Sequence, residues 1–175
     1  MDGSRISNAA VALKADFTSF TKDVGVDVLS FGGTKNGMMF GEAVIVFNKE
    51  LSRDFQYIRK QGMQLHSKMR FISAQFEAIL SNDLWKQNAS HSNRMAKLLE
   101  SELRTVNSVK ITKPVEANGV FAIFPEHMLA PLQEESFFYV WNDQTREVRL
   151  MCAFDTTEEE ILRFGKRLRE LAATA

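Results

Sequence analysis

The sequence predicts an α/β protein in two parts: a portion of a layered α/β domain, then a small α+β domain. Three observations carry this reading. Two short apolar runs, residues 26–31 and 43–47, sit among helical patterns in the first half. Four more short strand-like runs crowd the second half. A long helical stretch lies between the two groups, and the hydrophobic period changes after it.

Taken in order, residues 1–5 read as the end of a strand or a turn. Ile6, Ala9, Ala10 and Leu13 then share one helical face. Residues 26–31 and 43–47 read as strands buried on both faces. About eleven residues join them, too few for a helical crossover, so the pair is expected to be antiparallel. Leu51, Phe55 and Ile58 fall at i, i+4 and i+7, as do Ile72, Phe76 and Ile79, with Leu80 beside them. Asp83 is placed to cap a helix carrying Leu84, Met95, Leu99 and Leu103. Strands follow at 109–112, 120–124, 137–141 and 148–151, with a brief helix at 125–132. The last helix opens with a predicted capping box, Thr156 and Glu159, and buries Ile161, Phe164, Leu168 and Leu171. The expected division is 1–95 for part of a large domain and 96–175 for a small one. Residues from about 105 onward are expected to fold by themselves.

Composition narrows the function classes. Lysine plus arginine and aspartate plus glutamate both number 22, so the formal charge is zero and no nucleic-acid partner is indicated. No apolar run approaches the ~18 residues of a membrane span, and the N-terminus is polar. No membrane association and a cytoplasmic location are therefore expected. The single cysteine, Cys152, lies in an apolar run and reads as a buried, inert thiol. His66, His91 and His127 have no metal-ligand spacing, so no metal is expected.

The segment Gly32-Gly33-Thr34-Lys35-Asn36-Gly37 is the most informative. Glycines let backbone approach a ligand closely, and a lysine amine forms Schiff bases with carbonyl cofactors. A solvated loop lysine would look the same on spacing alone. Asp2 adds weight. It lies 33 residues before Lys35, with a helix and a strand between. A crossover of that size returns the chain to the same sheet, with both residues near the carboxyl ends of adjacent strands.

Three segments, Met1-Asp2-Gly3-Ser4-Arg5, Ser30-Phe31-Gly32-Gly33-Thr34-Lys35-Asn36-Gly37 and Ser67-Lys68-Met69-Arg70, resemble the low-specificity L-threonine aldolase family. These are fold-type-I enzymes of pyridoxal 5'-phosphate (PLP), related to the aromatic amino acid β-eliminating lyases. The resemblance covers essentially the whole chain and corresponds to the second half of the family's length.

It implies a PLP-dependent lyase that cleaves L-threonine-type β-hydroxy-α-amino acids to glycine and an aldehyde, working as a homo-oligomer. It implies a large-domain sheet that is mixed and mostly parallel. Residue by residue, Lys35 matches the Schiff-base lysine and Asp2 the partner of the pyridine nitrogen. Arg5 matches an arginine near the cofactor's phenolic oxygen and the substrate carboxylate. Arg149 matches a small-domain arginine on that carboxylate. Lys60 and Arg70 match basic positions close to the site, as a contribution that one subunit can supply to its neighbour. The phosphate loop and the ring-stacking residue belong to the family's first half and have no counterpart here, and no base for the β-hydroxyl proton is identified. Two alternatives stay open: a truncated, non-catalytic fragment, or a related β-eliminating lyase.

Overall fold

The computed structural model describes residues 1–174. They fall into two compact units, Met1–Ala89 and Ser90–Ala175.

In the first unit, a two-residue strand β1 (Asp2–Gly3) leads into helix α1 (Ile6–Leu13). Short 3-10 turns at Phe17–Phe20 and Lys22–Val24 carry the chain to β2 (Val28–Gly32). Another 3-10 turn, Thr34–Asn36, precedes β3 (Glu42–Val46). The sheet order is β1-β2-β3. β1 and β2 run parallel across the α1 crossover, while β2 and β3 are antiparallel. This is the mixed sheet the sequence predicts, with the predicted antiparallel return. Ile6, Leu29 and Phe31 form a small core, against which Phe17, Phe20, Ala43, Ile45 and Phe76 pack.

Several expectations about this unit need correction. β3 is a sheet edge and only partly covered: Val44 is 49% exposed, so the strand is not buried on both faces. Leu13 is exposed, because α1 ends there with Lys14 in the left-handed conformation and the buried face runs through Ile6, Ser7 and Ala10 instead. The single helix expected from Leu51, Phe55 and Ile58 is two pieces, a 3-10 turn at Lys49–Ser52 and α2 (Phe55–Gln61). Its apolar residues Leu51 and Ile58 face outward. Helix α3 (Arg70–Leu80) follows and buries Ile79, whereas Leu80 is exposed. Asp83 has φ +57° and stands directly before α4 (Leu84–Leu103). That is not the extended conformation from which an N-cap side chain reaches back to the first turn.

The division between the units falls inside α4. The second unit contains β4 (Lys110–Ile111), β5 (Gly119–Ile123), α5 (Glu126–Glu135), β6 (Tyr139–Asn142), β7 (Glu147–Met151) and α6 (Glu158–Ala173). Its sheet is antiparallel throughout, in the order β4-β5-β7-β6. Strand alternation sorts the side chains: Val120, Ala122, Val148 and Leu150 point to the core. Met95, Leu99 and Leu103 of α4 and Ile161, Phe164 and Leu168 of α6 cover them. Cys152 lies in this core, and burial pushes its thiol up to about 12. Such a thiol stays protonated and unreactive near neutral pH.

The capping box of α6 is real but one residue later than expected. Thr157 is the N-cap and Glu160 closes the box, with Thr157 N–H donating to Glu160 Oε2 at 2.7 Å and Glu160 N–H donating to Thr157 Oγ1 at 3.2 Å. Thr156 is occupied elsewhere: its Oγ1 accepts from Ala153 N–H at 2.8 Å, tightening the turn before the helix. Helix α5 also runs further than predicted, to Glu135, and accommodates Pro131 inside it. No helix among the described residues is long and apolar enough to cross a membrane.

Candidate active site

The parallel pairing of β1 with β2 sets Asp2 opposite Ser30 and Gly3 opposite Phe31. Both strands therefore end at the same edge, where open α/β sheets bind ligands. The turn after β1 and the loop after β2 touch there. A Cβ on Gly32 would stand 2.5 Å from the Ser4 carbonyl oxygen and 2.6 Å from Ser4 Cα. Only glycine permits that approach, and it brings the Asp2 turn against the start of the Lys35 loop.

The Asp2 carboxylate is exposed and accepts from Ser4 N–H through Oδ1 at 2.9 Å. It is held below the ordinary aspartate range, first by the Ser4 backbone bond and then by the Ser4 hydroxyl. Desolvation opposes these bonds, and the charge of Lys35 adds a pull in the same direction as Ser4 but weaker than desolvation. Arg5 follows in the same turn, at the N-cap of α1, where its carbonyl accepts from Ala9 N–H at 3.2 Å.

Lys35 itself is exposed, but its loop is fixed from behind. Gly41 N–H donates to Thr34 Oγ1 at 3.0 Å, tying the loop's two ends together. Asn36 is buried; its Nδ2 donates to the Trp85 carbonyl at 3.0 Å, and its own carbonyl accepts from Asn88 Nδ2 at 2.9 Å. Met39 N–H donates to Gln75 Oε1 at 2.9 Å. Thr34 and Asn36 belong to the segment singled out in the sequence but carried no role of their own there, and Asn88 and Gln75 were not singled out at all. The signal available was Asn36 itself, a polar residue between Lys35 and a glycine whose side chain needs a partner if the loop packs down.

Lys60 lies on α2 and Arg70 opens α3, both exposed. The Arg70 guanidinium lies 4.7 Å from the Phe71 ring centre. No hydrogen bond or ion pair among the described residues joins either one to Asp2 or Lys35. The first unit therefore gathers Asp2, Arg5 and Lys35 at one sheet edge and leaves Lys60 and Arg70 on separate helices.

In the second unit, Arg149 stands on β7, on the sheet face opposite the core. It is paired across the strands with Phe121 on one side and Tyr139 on the other. Its Nε–H donates to Met151 Sδ at 3.2 Å, and its guanidinium carbon lies 5.0 Å from the Trp141 ring centre.

Comparison with known proteins fits this arrangement. The chain is 43% identical over 173 residues to a low specificity L-threonine aldolase of Pseudomonas sp. (strain NCIMB 10558), covering 99% of this chain and 48% of that protein. It is 42% identical over 170 residues to the low specificity L-threonine aldolase of Pseudomonas aeruginosa, covering 97% of this chain and 49% of that one. The chain thus spans about half the length of the curated relatives it matches. A solved threonine aldolase from Leishmania major shares the fold with a TM-score of 0.87 at 30% identity, over 98% of this chain and 51% of its own. The fold is accordingly that of a threonine aldolase, a fold-type-I architecture seen here in part. The family model for beta-eliminating lyases matches residues 1–126, and the chain belongs to that family.

Proposed function

We propose that these residues form part of a PLP-dependent carbon–carbon lyase that cleaves L-threonine-type β-hydroxy-α-amino acids to glycine and an aldehyde. The observation that carries this reading is the parallel pairing of β1 with β2, which sets the Asp2 turn against the start of the Lys35 loop at one carboxyl edge. The donor set fits the ring end of the cofactor: a carboxylate for the pyridine nitrogen, an amine for the aldehyde and an arginine beside them. When bound, PLP provides an electron sink for the breaking Cα–Cβ bond.

The chain's own residues then divide the work. Asp2 would hold the proton on the ring nitrogen, a role suited to a carboxylate that the Ser4 bonds keep below the ordinary aspartate range. Lys35 Nζ would hold the cofactor covalently. The buried Asn36 and the Thr34 bond to Gly41 fix the loop, so that the Lys35 side chain alone has to move. Arg5 and Arg149 are the arginines assigned to the substrate carboxylate, each carrying a guanidinium that can donate two parallel bonds. Lys60 and Arg70 are assigned to the neighbouring subunit's site in a homo-oligomer. In this proposal the first unit is part of the large domain and the second is the small domain.

Replacement of Lys35 tests the reading. In full-length enzyme, Lys35→Ala should remove the visible absorption band of lysine-bound cofactor and abolish threonine cleavage. A variant that keeps both the band and the turnover would show Lys35 to be an ordinary loop lysine. A second reading, that the 175 residues do not cleave threonine unaided, is favoured by their covering 48% and 49% of the relatives' lengths. Assaying the 175 residues beside a full-length relative separates the two.

A further inference from the structure

Arginine on an open sheet face ordinarily finds a carboxylate. Arg149 finds two uncharged partners instead, the ring of Trp141 and the sulfur of Met151. The nearest acid on its strand face, Glu147, gives its carboxylate to Thr112 Oγ1 and Lys113. Among the described residues no ion pair neutralises Arg149.

The backbone supplies the aromatic partner by a local irregularity. Tyr139 pairs with Arg149 and Val140 with Val148, but Asn142 then pairs with Glu147. Trp141 is the extra residue of a β-bulge. A bulge inserts one residue, shifts the pairing by one beyond it and re-aims the inserted side chain. Val140 stays against the core while the Trp141 ring reaches over Arg149 and meets Phe121 edge-on, with ring centres 5.8 Å apart. Met151, two residues along the same strand, takes the Nε–H.

A guanidinium carries five donors in one plane. A ring face beside that plane and an acceptor on Nε fix its tilt and rotation, while the two terminal nitrogens keep their donors and their full charge. We propose that Trp141 and Met151 are positioning residues that preset Arg149 for a carboxylate. This rests on the reading of Arg149 as the arginine that binds the substrate carboxylate.

The test combines binding to the full-length holoenzyme with a measurement independent of cofactor and substrate. Dissociation constants of glycine, and of methylamine as its carboxylate-free counterpart, are compared in wild type, Trp141→Leu, Trp141→Phe, Met151→Leu and Arg149→Ala. Trp141→Leu is expected to weaken glycine by about 2- to 30-fold, the range a cation–π contact spans, with methylamine and kcat little changed. Trp141→Phe, which keeps a ring face, recovers most of the affinity. In cofactor-free protein, the Arg149 Nε–H nitrogen-15 signal should exchange slowly with water and lose that protection in Trp141→Leu and Met151→Leu.

Unchanged Nε–H exchange in both variants overturns the proposal. Equal weakening of glycine and methylamine does so as well, since that marks a role in the fold. Lost protection with unchanged glycine affinity, where Arg149→Ala does weaken glycine, also overturns it. If Arg149→Ala leaves glycine binding intact while Nε–H protection still depends on Trp141 and Met151, the positioning stands and the carboxylate reading falls.

Discussion

Asp2 shows how much one short turn asks of single residues. Its carboxylate is exposed, yet the Ser4 backbone and hydroxyl bonds hold its pKa below the usual aspartate value. If Asp2 holds the ring nitrogen's proton as proposed, kcat of Asp2→Ala in the full-length enzyme should fall on the order of 10²–10⁴-fold with the circular dichroism unchanged. A variant retaining most of its kcat would reduce Asp2 to a turn residue. Gly32 makes the complementary prediction. Any Cβ there meets Ser4 backbone, which has no flexible end to move aside. Gly32→Ala should therefore displace the Asp2 turn and destabilise the first unit by about 1–3 kcal/mol, read as a lowered unfolding midpoint together with weakened cofactor binding. The placement of Asp2 and Lys35 at the ends of neighbouring strands was legible in the sequence, because glycine punctuation and a crossover-sized spacing are one-dimensional signals. The close approach of Gly32 to Ser4 was not, since it depends on two strands lying side by side.

At the scale of elements, the strands of the second half were found nearly where expected, because period-2 alternation survives when one face of a sheet is buried. The helices between residues 49 and 80 were harder. Leu51 and Ile58 have helical spacing but stay exposed here, so apolar period alone did not reveal what they pack against. The capping box was misplaced because two adjacent threonines each have a glutamate three positions on, and only the bond from Ala153 N–H to Thr156 Oγ1 breaks the tie. That assignment is testable. Thr157→Ala should cost about 0.5–2 kcal/mol, and Thr156→Ala should leave the start of α6 in place. Glu160 is held below the ordinary glutamate range, first by Thr157 N–H and then by the Thr157 hydroxyl. A depressed folded-state pKa contributes stability that is present above the unfolded glutamate value and lost as pH falls through the folded one. Denaturant titrations across the acid range should show this loss in wild type. Glu160→Gln, which preserves the box without a titrating group, should show less of it.

For the whole molecule, the division inside α4 decides which part is self-sufficient. A cut near residue 105 looked natural from the strand pattern. It would remove Met95, Ala96, Leu99 and Leu103, all buried in the second unit's core. Stripping that helix would uncover the inner sheet face bearing Val120, Val148 and Leu150, and a sheet with one bare apolar face associates or fails to fold. A piece beginning at residue 90 keeps the helix, the closed set of antiparallel strands and the capped α6. The first unit is in the opposite condition: its shared core has three buried residues, while Met39, Ile58, Met63 and Phe71 are each more than half exposed. Residues 90–175 should therefore be monomeric with a cooperative thermal transition, and residues 105–175 should be largely unfolded or aggregated. Residues 1–175 should self-associate through the first unit. Sedimentation velocity and thermal melts of the three pieces separate these outcomes; a monodisperse, cooperative 105–175 would show that α4 is dispensable to the core it now fills.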